Sequence, residues 1–329
     1  MPFIRGAKEH PWTRGEPYAQ PYYAFASGTW NDAITSQLEP TSTVTTPSSF
    51  TLMSWNIDFM QILTDERMRS ALNYLHTLVK DATRPTVIMF NEMLESDLEI
   101  IQAQDWVQQD YHITDISSKY WASTIYGTCI LIPKSLPIKS VFRVHYEKTN
   151  MDRDALFVDI PLPNINSETL RLCSTHLESL RATHPRRPAQ LQTAAKFMHQ
   201  ADAAVLAGDL NAIQDFDKTL HTENNLKDAY LESGGEEGDE AGATWGQMVQ
   251  QWQRDRYGLG RLDKMLFCGN LELEKFETFG LDVEVEDENA RKELMGQGGG
   301  LARGWVTDHL GVRGDFRIIT EEGVQEGLA

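Results

Sequence analysis

The sequence predicts a layered α/β protein, and three observations carry that prediction. Short apolar runs of strand length recur, among them Thr86-Val87-Ile88-Met89-Phe90, Ala203-Ala204-Val205-Leu206 and the run from Phe50 to Trp55. Segments with helical spacing lie between them, such as the stripe Met68, Leu72, Leu75 and Val79. Strands and helices alternate too loosely for a simple parallel Rossmann sheet, and the chain carries no G-x-G-x-x-G or Walker lysine motif. At 329 residues and 41% hydrophobic content it can bury one large core or two smaller ones.

Taken in order, residues 1–49 read as an aromatic and Pro-rich arm ending in a linker. Trp12, Tyr18, Tyr22, Tyr23, Phe25 and Trp30 are too many aromatics for a solvated tail, so the arm is expected to pack across the domain surface. An arm that binds a partner is the alternative. Residues 50–320 form the main domain, and 321–329 an acidic tail that frays. A first strand from Phe50 ends at Asn56-Ile57-Asp58. Thr64 is the expected N-cap of the helix that follows, with Asp65 and Glu66 in its first turn. A second strand ends at Asn91-Glu92, and a helix is expected over Leu94–Gln104. Strands follow around Ser123–Ile132, Ala155–Ile160 and Leu170–Thr175, the last ending at His176. A helix over Pro188–Gln200 carries Leu191, Ala194, Ala195 and Met198 on one face. The Gly/Glu/Asp-rich stretch Leu231–Ala243 reads as a mobile loop. Leu262–Phe267 is a strand, Asp282–Glu293 a loop or short helix, Gly296–Gly300 a flexible link, and the chain closes on a strand through Phe316–Ile319.

The formal net charge of −18 argues against binding a polyanion through the general field of the protein. A nucleic-acid partner would need a local basic patch or a metal. Cys129, Cys173 and Cys268 are far apart and odd in number, which fits neither a disulfide framework nor a zinc site and points to a reducing compartment. No apolar run is long enough to span a bilayer, and the first residues lack a signal-peptide core. The expectation is a soluble protein of the nucleus or cytoplasm, without membrane or disulfide-linked partners and monomeric.

Polar residues stand at the ends of otherwise apolar strands: Asn56 and Asp58, Glu92, His176, Asp209 and Asn211, Asp263, and Asp308 with His309. Gly208, just before Asp209, suits a close backbone approach. Burying so many polar groups is costly unless they converge on one site. The carboxylates suit a hard divalent cation, and the histidines and asparagines an anionic oxygen. This is the equipment of metal-assisted phosphoester hydrolysis.

The segments Ser54-Trp55-Asn56-Ile57-Asp58, Asn91-Glu92, Thr175-His176-Leu177-Glu178, Gly208-Asp209-Leu210-Asn211, Arg261-Leu262-Asp263-Lys264 and Thr307-Asp308-His309, in that order, resemble the exonuclease–endonuclease–phosphatase superfamily. The resemblance implies a four-layer α-β-β-α sandwich, two packed mixed sheets flanked by helices. Within the superfamily the chain is most similar to the tyrosyl-DNA phosphodiesterase branch. Thr175-His176-Leu177-Glu178-Ser179, followed by Arg181, Arg187, Gln190 and Leu191, carries that likeness, as do Met151-Asp152-Arg153 and Thr244-Trp245. The chain departs from the branch at Leu180, where a small hydroxyl residue is usual, and at Ala212-Ile213-Gln214, which lacks an arginine seen in vertebrate members.

The resemblance implies a phosphodiesterase acting on DNA with a 5′ tyrosyl or protein adduct. Another phosphodiesterase of the superfamily and a non-catalytic scaffold stay open as alternatives. Glu92, with Asp58, is expected to hold Mg²⁺, with Mn²⁺ as a substitute. Asp209 is expected to position and deprotonate water beside Asn211, while Asn56 holds a phosphate oxygen or this base. His309 and His176 stabilise phosphoryl charge. Asp263 orients His309, and Asp308 serves the metal or this network. Arg153 and Trp245 are expected to flank the leaving group. Arg181, with Arg186 and Arg187, is the best basic patch for DNA. A tyrosyl phenol, with a pKa of about 10, leaves without much protonation, in keeping with the lack of an evident general acid.

Overall fold

A computed structural model describes residues 10–33, 48–162, 168–296, 301 and 303–319. Its strands, numbered along the chain, are β1 (Pro17–Gln20), β2 (Tyr22–Ala26), β3 (Thr29–Ala33), β4 (Ser49–Asn56), β5 (Thr86–Met93), β6 (Tyr111–Ile113), β7 (Gly127–Pro133), β8 (Ser140–His145), β9 (Asp154–Pro161), β10 (Thr169–Thr175), β11 (Ala203–Asp209), β12 (Lys227–Asp228), β13 (Asp263–Gly269), β14 (Leu271–Phe279) and β15 (Gly311–Ile318). They form a seven-stranded sheet, β1-β8-β9-β10-β11-β13-β12, and an eight-stranded sheet, β14-β15-β4-β5-β7-β6-β2-β3. Both are mixed: β4 runs parallel to β5 and β10 parallel to β11, and the remaining pairs are antiparallel.

Period-two alternation along each strand builds the layers. Phe50 and Leu52 of β4 join Val87, Val158, Leu172, Val205 and Phe267 in the core between the sheets. Met53 and Trp55 point the other way, against Met68, Leu72 and Leu75 of α1 (Thr64–Val79) and Leu98 and Ile101 of α2 (Glu95–Gln102). On the far side, Phe157, Cys173 and Leu206 pack on Leu191, Ala194 and Met198 of a helix spanning Arg187–Met198. The order is therefore helix, sheet, sheet, helix. Each buried large side chain contributes about 1.5–3 kcal/mol, which offsets the cost of the polar strand ends.

Several local readings change. Residues 17–33 do not lie across a face: β1 pairs with β8 at one edge of the first sheet, and the β2–β3 hairpin pairs with β6 at an edge of the second. Both sheets thus extend across the expected boundary at residue 50. Thr64 does not cap α1; Leu63, at φ 56°, holds the cap position without a side-chain bond. The helix expected over 94–104 ends at Gln102, and a second short one, Asp105–Asp110, follows. The stretch 231–243 is anchored: Glu237 pairs with Arg261, and lies 3.4 Å from Lys264 Nζ. β14 reads poorly in sequence because it is an edge strand whose exposed Glu and Lys residues guard the sheet. The three cysteines are free. No helix among the described residues is long and apolar enough to cross a membrane. The linker at 34–47, the glycines at 297–300 and the tail from 320 lie outside the described residues.

Candidate active site

The topology draws the polar strand ends together. β4, β5, β10 and β11 all finish at one end of the sandwich. β13 begins there, because it runs antiparallel to β11 with Asp263 opposite Asp209. β15 runs antiparallel to β4, so the segment before it, with Thr307, Asp308 and His309, returns beside Asn56.

Gly208 makes the closest approach. Its φ is 151°, and a Cβ there would stand 1.8 Å from the Thr175 carbonyl oxygen. Only glycine lets β11 pass so near the end of β10. Asp209 N then donates to Asn91 Oδ1 (3.0 Å), which ties β11 of one sheet to β5 of the other.

Asp209 is the hub. Its Oδ1 accepts the backbone N–H of Asn211 (2.8 Å) and its Oδ2 accepts Asn56 Nδ2 (3.0 Å). His176 Nε2 and His309 Nε2 lie 3.4 Å and 4.0 Å from the same Oδ2. Burial alone would raise this carboxyl, but the contacts from His176, His309 and the Asn211 N–H outweigh it and hold the group well below the usual carboxylate range. Asn56 is itself fixed: its Oδ1 accepts from Asp58 N (2.9 Å) and its carbonyl from Thr307 Oγ1 (2.8 Å). Asn211 Nδ2 donates to the Leu177 carbonyl (3.1 Å).

The two histidines are held in opposite states. His309 Nδ1 donates to Asp263 Oδ2 at 2.7 Å, with Nε2 on the Asp209 and Asp308 side. Burial opposes its charge, but Asp263 and then Asp308 prevail, and the imidazole is raised well above its ordinary range. His176 is pushed down to about 4, by burial first and by Arg153 next, and is neutral at neutral pH. The Arg153 Nη1 donates to His176 Nδ1, which leaves the ring proton on Nε2, facing Asp209 and Glu92.

Glu92 and Asp58 make a second, acidic centre. Both sit at positive φ, 57° and 56°. Glu92 is raised to about 8 by burial and then by the charge of Asp58; Asp58 is raised to about 6 by burial and then by Asp308. Among the described residues no hydrogen bond reaches the Glu92 carboxylate; its ion-pair contact is His176 Nε2 at 3.5 Å. Glu92, His176 and Asp209 offer atoms close enough to share one ion. The tautomer of His176 makes it a donor rather than a ligand, which leaves Glu92 and Asp209 as the oxygen donors of that group.

The residues expected around the leaving group have different partners. Trp245 Nε1 donates to Asp308 Oδ2 (2.7 Å), and its ring meets Tyr257 edge-on. Arg153 lies over the ring of Tyr126, 4.8 Å from the centroid. Phe59 stacks on the same Tyr126 ring at 4.4 Å. The basic patch also divides. Arg181 is exposed, whereas Arg187 is buried and paired with Asp217 at 2.8 Å, holding the carbonyls of Glu178 and Leu180. Arg186 donates to Asn150 Oδ1.

Sequence reasoning missed Arg67. This buried side chain donates to the carbonyls of Ile57, Asp58, Gln61, Ile62 and Val306, and so ties the loop bearing Asp58 to the segment bearing Asp308. Its register with Ala71 and Leu75 on the buried face of α1 was the available signal. Asn91 and Tyr126 were also passed over as site residues.

The endonuclease/exonuclease/phosphatase family matches residues 53–309, and the chain belongs to that family. Among curated relatives it is 27% identical to human tyrosyl-DNA phosphodiesterase 2 over 211 residues, 62% of this chain and 53% of that protein. It is 26% identical to 5′-tyrosyl-DNA phosphodiesterase of Caenorhabditis elegans over 241 residues, 70% of this chain and 60% of that protein. The chain thus spans little more than half the length of the curated relatives it matches. The fold is shared with a crystal structure of D. rerio TDP2 complexed with single strand DNA product, at a TM-score of 0.62 and 18% identity, over 82% of this chain and 100% of that one.

Proposed function

We propose that the protein is a divalent-metal-dependent phosphodiesterase that hydrolyses 5′-phosphotyrosyl linkages to DNA. The observation that carries the reading is the convergence on Asp209 Oδ2. A donor from one sheet, Asn56, and two histidines, one neutral and one charged, meet one ionised carboxylate beside the acidic pair Glu92 and Asp58. The names of the two curated relatives support the phosphotyrosyl substrate.

Glu92 and Asp58 would hold Mg²⁺, which when bound polarises a phosphoryl oxygen. Asp209 orients the attacking water through Oδ2 and takes its proton as the new P–O bond forms. A carboxylate held so low is a weak base for free water but accepts readily from water made acidic by bond formation. Asn56 and the Asn211 N–H keep that carboxylate in one rotamer. The His309 imidazolium, steered by Asp263, and the His176 Nε2–H present positive edges to the phosphoryl oxygens. Asp308, braced by Trp245, stands beside the same His309 Nε2 that faces Asp209. The Arg153 guanidinium on Tyr126 offers a cationic, stacked surface to the phenolate. Arg181, exposed, would meet a DNA phosphate in an otherwise acidic protein. The reaction would suit a protein of the nucleus or cytoplasm acting as a monomer.

The test is turnover of a 5′-phosphotyrosyl oligonucleotide with Mg²⁺, beside an unmodified oligonucleotide and one with an abasic site. Faster release of tyrosine than of nucleotides supports the reading. Faster nicking of the abasic or unmodified strand overturns the substrate assignment.

A further inference from the structure

We infer that the N-terminal arm is a working part of the active site, and that Arg14 is a positioning residue for Arg153. The inference rests on the phosphodiesterase reading above for its kinetic consequence, and on geometry alone for its structural one.

The loop between β8 and β9, residues 146–153, delivers Arg153 to His176 and Tyr126. It is anchored on one side by Glu178. Glu178 Oε2 accepts Thr149 Oγ1 and Oε1 accepts Asn150 N, each at 2.8 Å. Thr149 Oγ1 in turn accepts the N–H groups of Met151 (3.2 Å) and Arg153 (3.0 Å). The other side is held by the arm. Arg14 Nη1 donates to the Tyr146 carbonyl (3.1 Å), and Nη2 to Asp152 Oδ1 (3.0 Å). Tyr146 N donates to the Arg153 carbonyl at 3.1 Å, so one guanidinium spans the two ends of the loop at its neck.

Three features show that this contact is built. Gly15 N donates to the His145 carbonyl (2.7 Å), continuing the ladder of β1 on β8 up to the loop. Gly15 has φ 81°, and a Cβ there would meet Glu147 Oε1 at 2.8 Å, so a larger residue would push Arg14 off the loop. Trp12 stacks on the ring of the buried His145 at 4.1 Å, which seats the arm just before Arg14. Asp152 itself has φ 54°, a left-handed conformation that a non-glycine residue keeps only when its surroundings hold it. Arg14 is part of what holds it, one residue from the group that fixes the His176 tautomer.

The test compares Arg14→Ala, Arg14→Lys and Arg153→Ala, singly and with Arg14→Ala combined with Arg153→Ala. Arg14→Ala should lower kcat on the phosphotyrosyl oligonucleotide about tenfold, the scale of a misplaced active-site group, with a smaller change in KM. Lysine should restore part of the loss, since it reaches Asp152 without the two-pronged grip. Adding Arg14→Ala to Arg153→Ala should cost nothing further, because Arg14 acts through Arg153. Independently of turnover, Arg14→Ala should speed hydrogen exchange at the Met151 and Arg153 amides about tenfold while β4 and β5 keep their protection. Additive kinetic losses, or unchanged exchange at these two amides, overturn the positioning role. If the wild-type protein does not turn over the phosphotyrosyl oligonucleotide, the functional reading fails, and the exchange measurement still decides whether Arg14 holds the loop.

Discussion

Asn56 Nδ2 donates to Asp209 Oδ2 across 3.0 Å, joining the last residue of β4 in one sheet to the last residue of β11 in the other. The base of the proposed reaction is thus aimed from the opposite half of the sandwich. Asn56→Ala should leave the fold intact and lower kcat about 10²-fold, as expected for one lost preorganising donor, with little change in KM. Asn56→Asp should be worse, because a second carboxylate against Asp209 raises its pKa. The pH–rate profiles of the two variants check this: the acid limb should move up in both, and further in Asn56→Asp.

Asp263 and His309 form the next relationship. In Asp263→Asn the amide can offer an N–H to His309 Nδ1, which favours the wrong tautomer and removes the charge that keeps the ring protonated. Turnover should fall by about one to two orders of magnitude. His309 should also titrate lower than in the wild type, readable by imidazole NMR signals.

Gly208 permits the contact between β11 and the Thr175 carbonyl. Gly208→Ala would force a 1.8 Å clash with backbone at a positive φ, and should destabilise by more than about 3 kcal/mol. Urea unfolding would measure it. Gly296→Ala, which has open space around it and no positive φ, should cost far less.

The raised carboxyls make stability depend on pH and metal together. Glu92 goes from an ordinary 4.5 to about 8 on folding, so the folded protein holds a proton there that the unfolded chain releases. Stability of the metal-free protein from this group therefore falls as pH rises through that window. His309, also raised, acts in the same direction above 6.5; His176, lowered to about 4, acts in the opposite direction only below 6.5. Without metal, Tm should drop between about pH 6.5 and about pH 8.5. Mg²⁺, which favours the ionised carboxylate, should raise Tm more at the higher pH. Equal Mg²⁺ shifts at both would remove Glu92 from the metal site.

What the sequence revealed follows from what leaves a local trace. Asp209 and Asn211 were legible because an apolar run ended in polar residues, and Gly208 because a glycine at the end of that run suits a close backbone approach. The four layers followed from the family resemblance, and period-two alternation accounts for them. Arg67 was not legible, since it acts by collecting five carbonyls of loops whose paths no pattern encodes. Arg187 looked like a surface cation because Asp217, its partner, is brought to it only by the tertiary fold. The arm's strands were hidden for the same reason: β1 and β2 are short, and pairing with β8 and β6 decides their conformation. Trp245 and Arg153 were joined in sequence reasoning by chemistry alone, and the structure gives each a different partner.

The central claim is metal-dependent hydrolysis centred on Asp209 with Glu92 at the metal. The most direct measurement is single-turnover cleavage of a 5′-phosphotyrosyl oligonucleotide by wild type, Asp209→Asn and Glu92→Gln, across an Mg²⁺ titration and in EDTA. The account predicts no cleavage in EDTA and recovery with Mg²⁺ or Mn²⁺. It also predicts a loss of several orders of magnitude in Asp209→Asn at every Mg²⁺ concentration, and a shift to higher Mg²⁺ demand in Glu92→Gln. Full activity in EDTA, or near-normal rates in both variants, would contradict it.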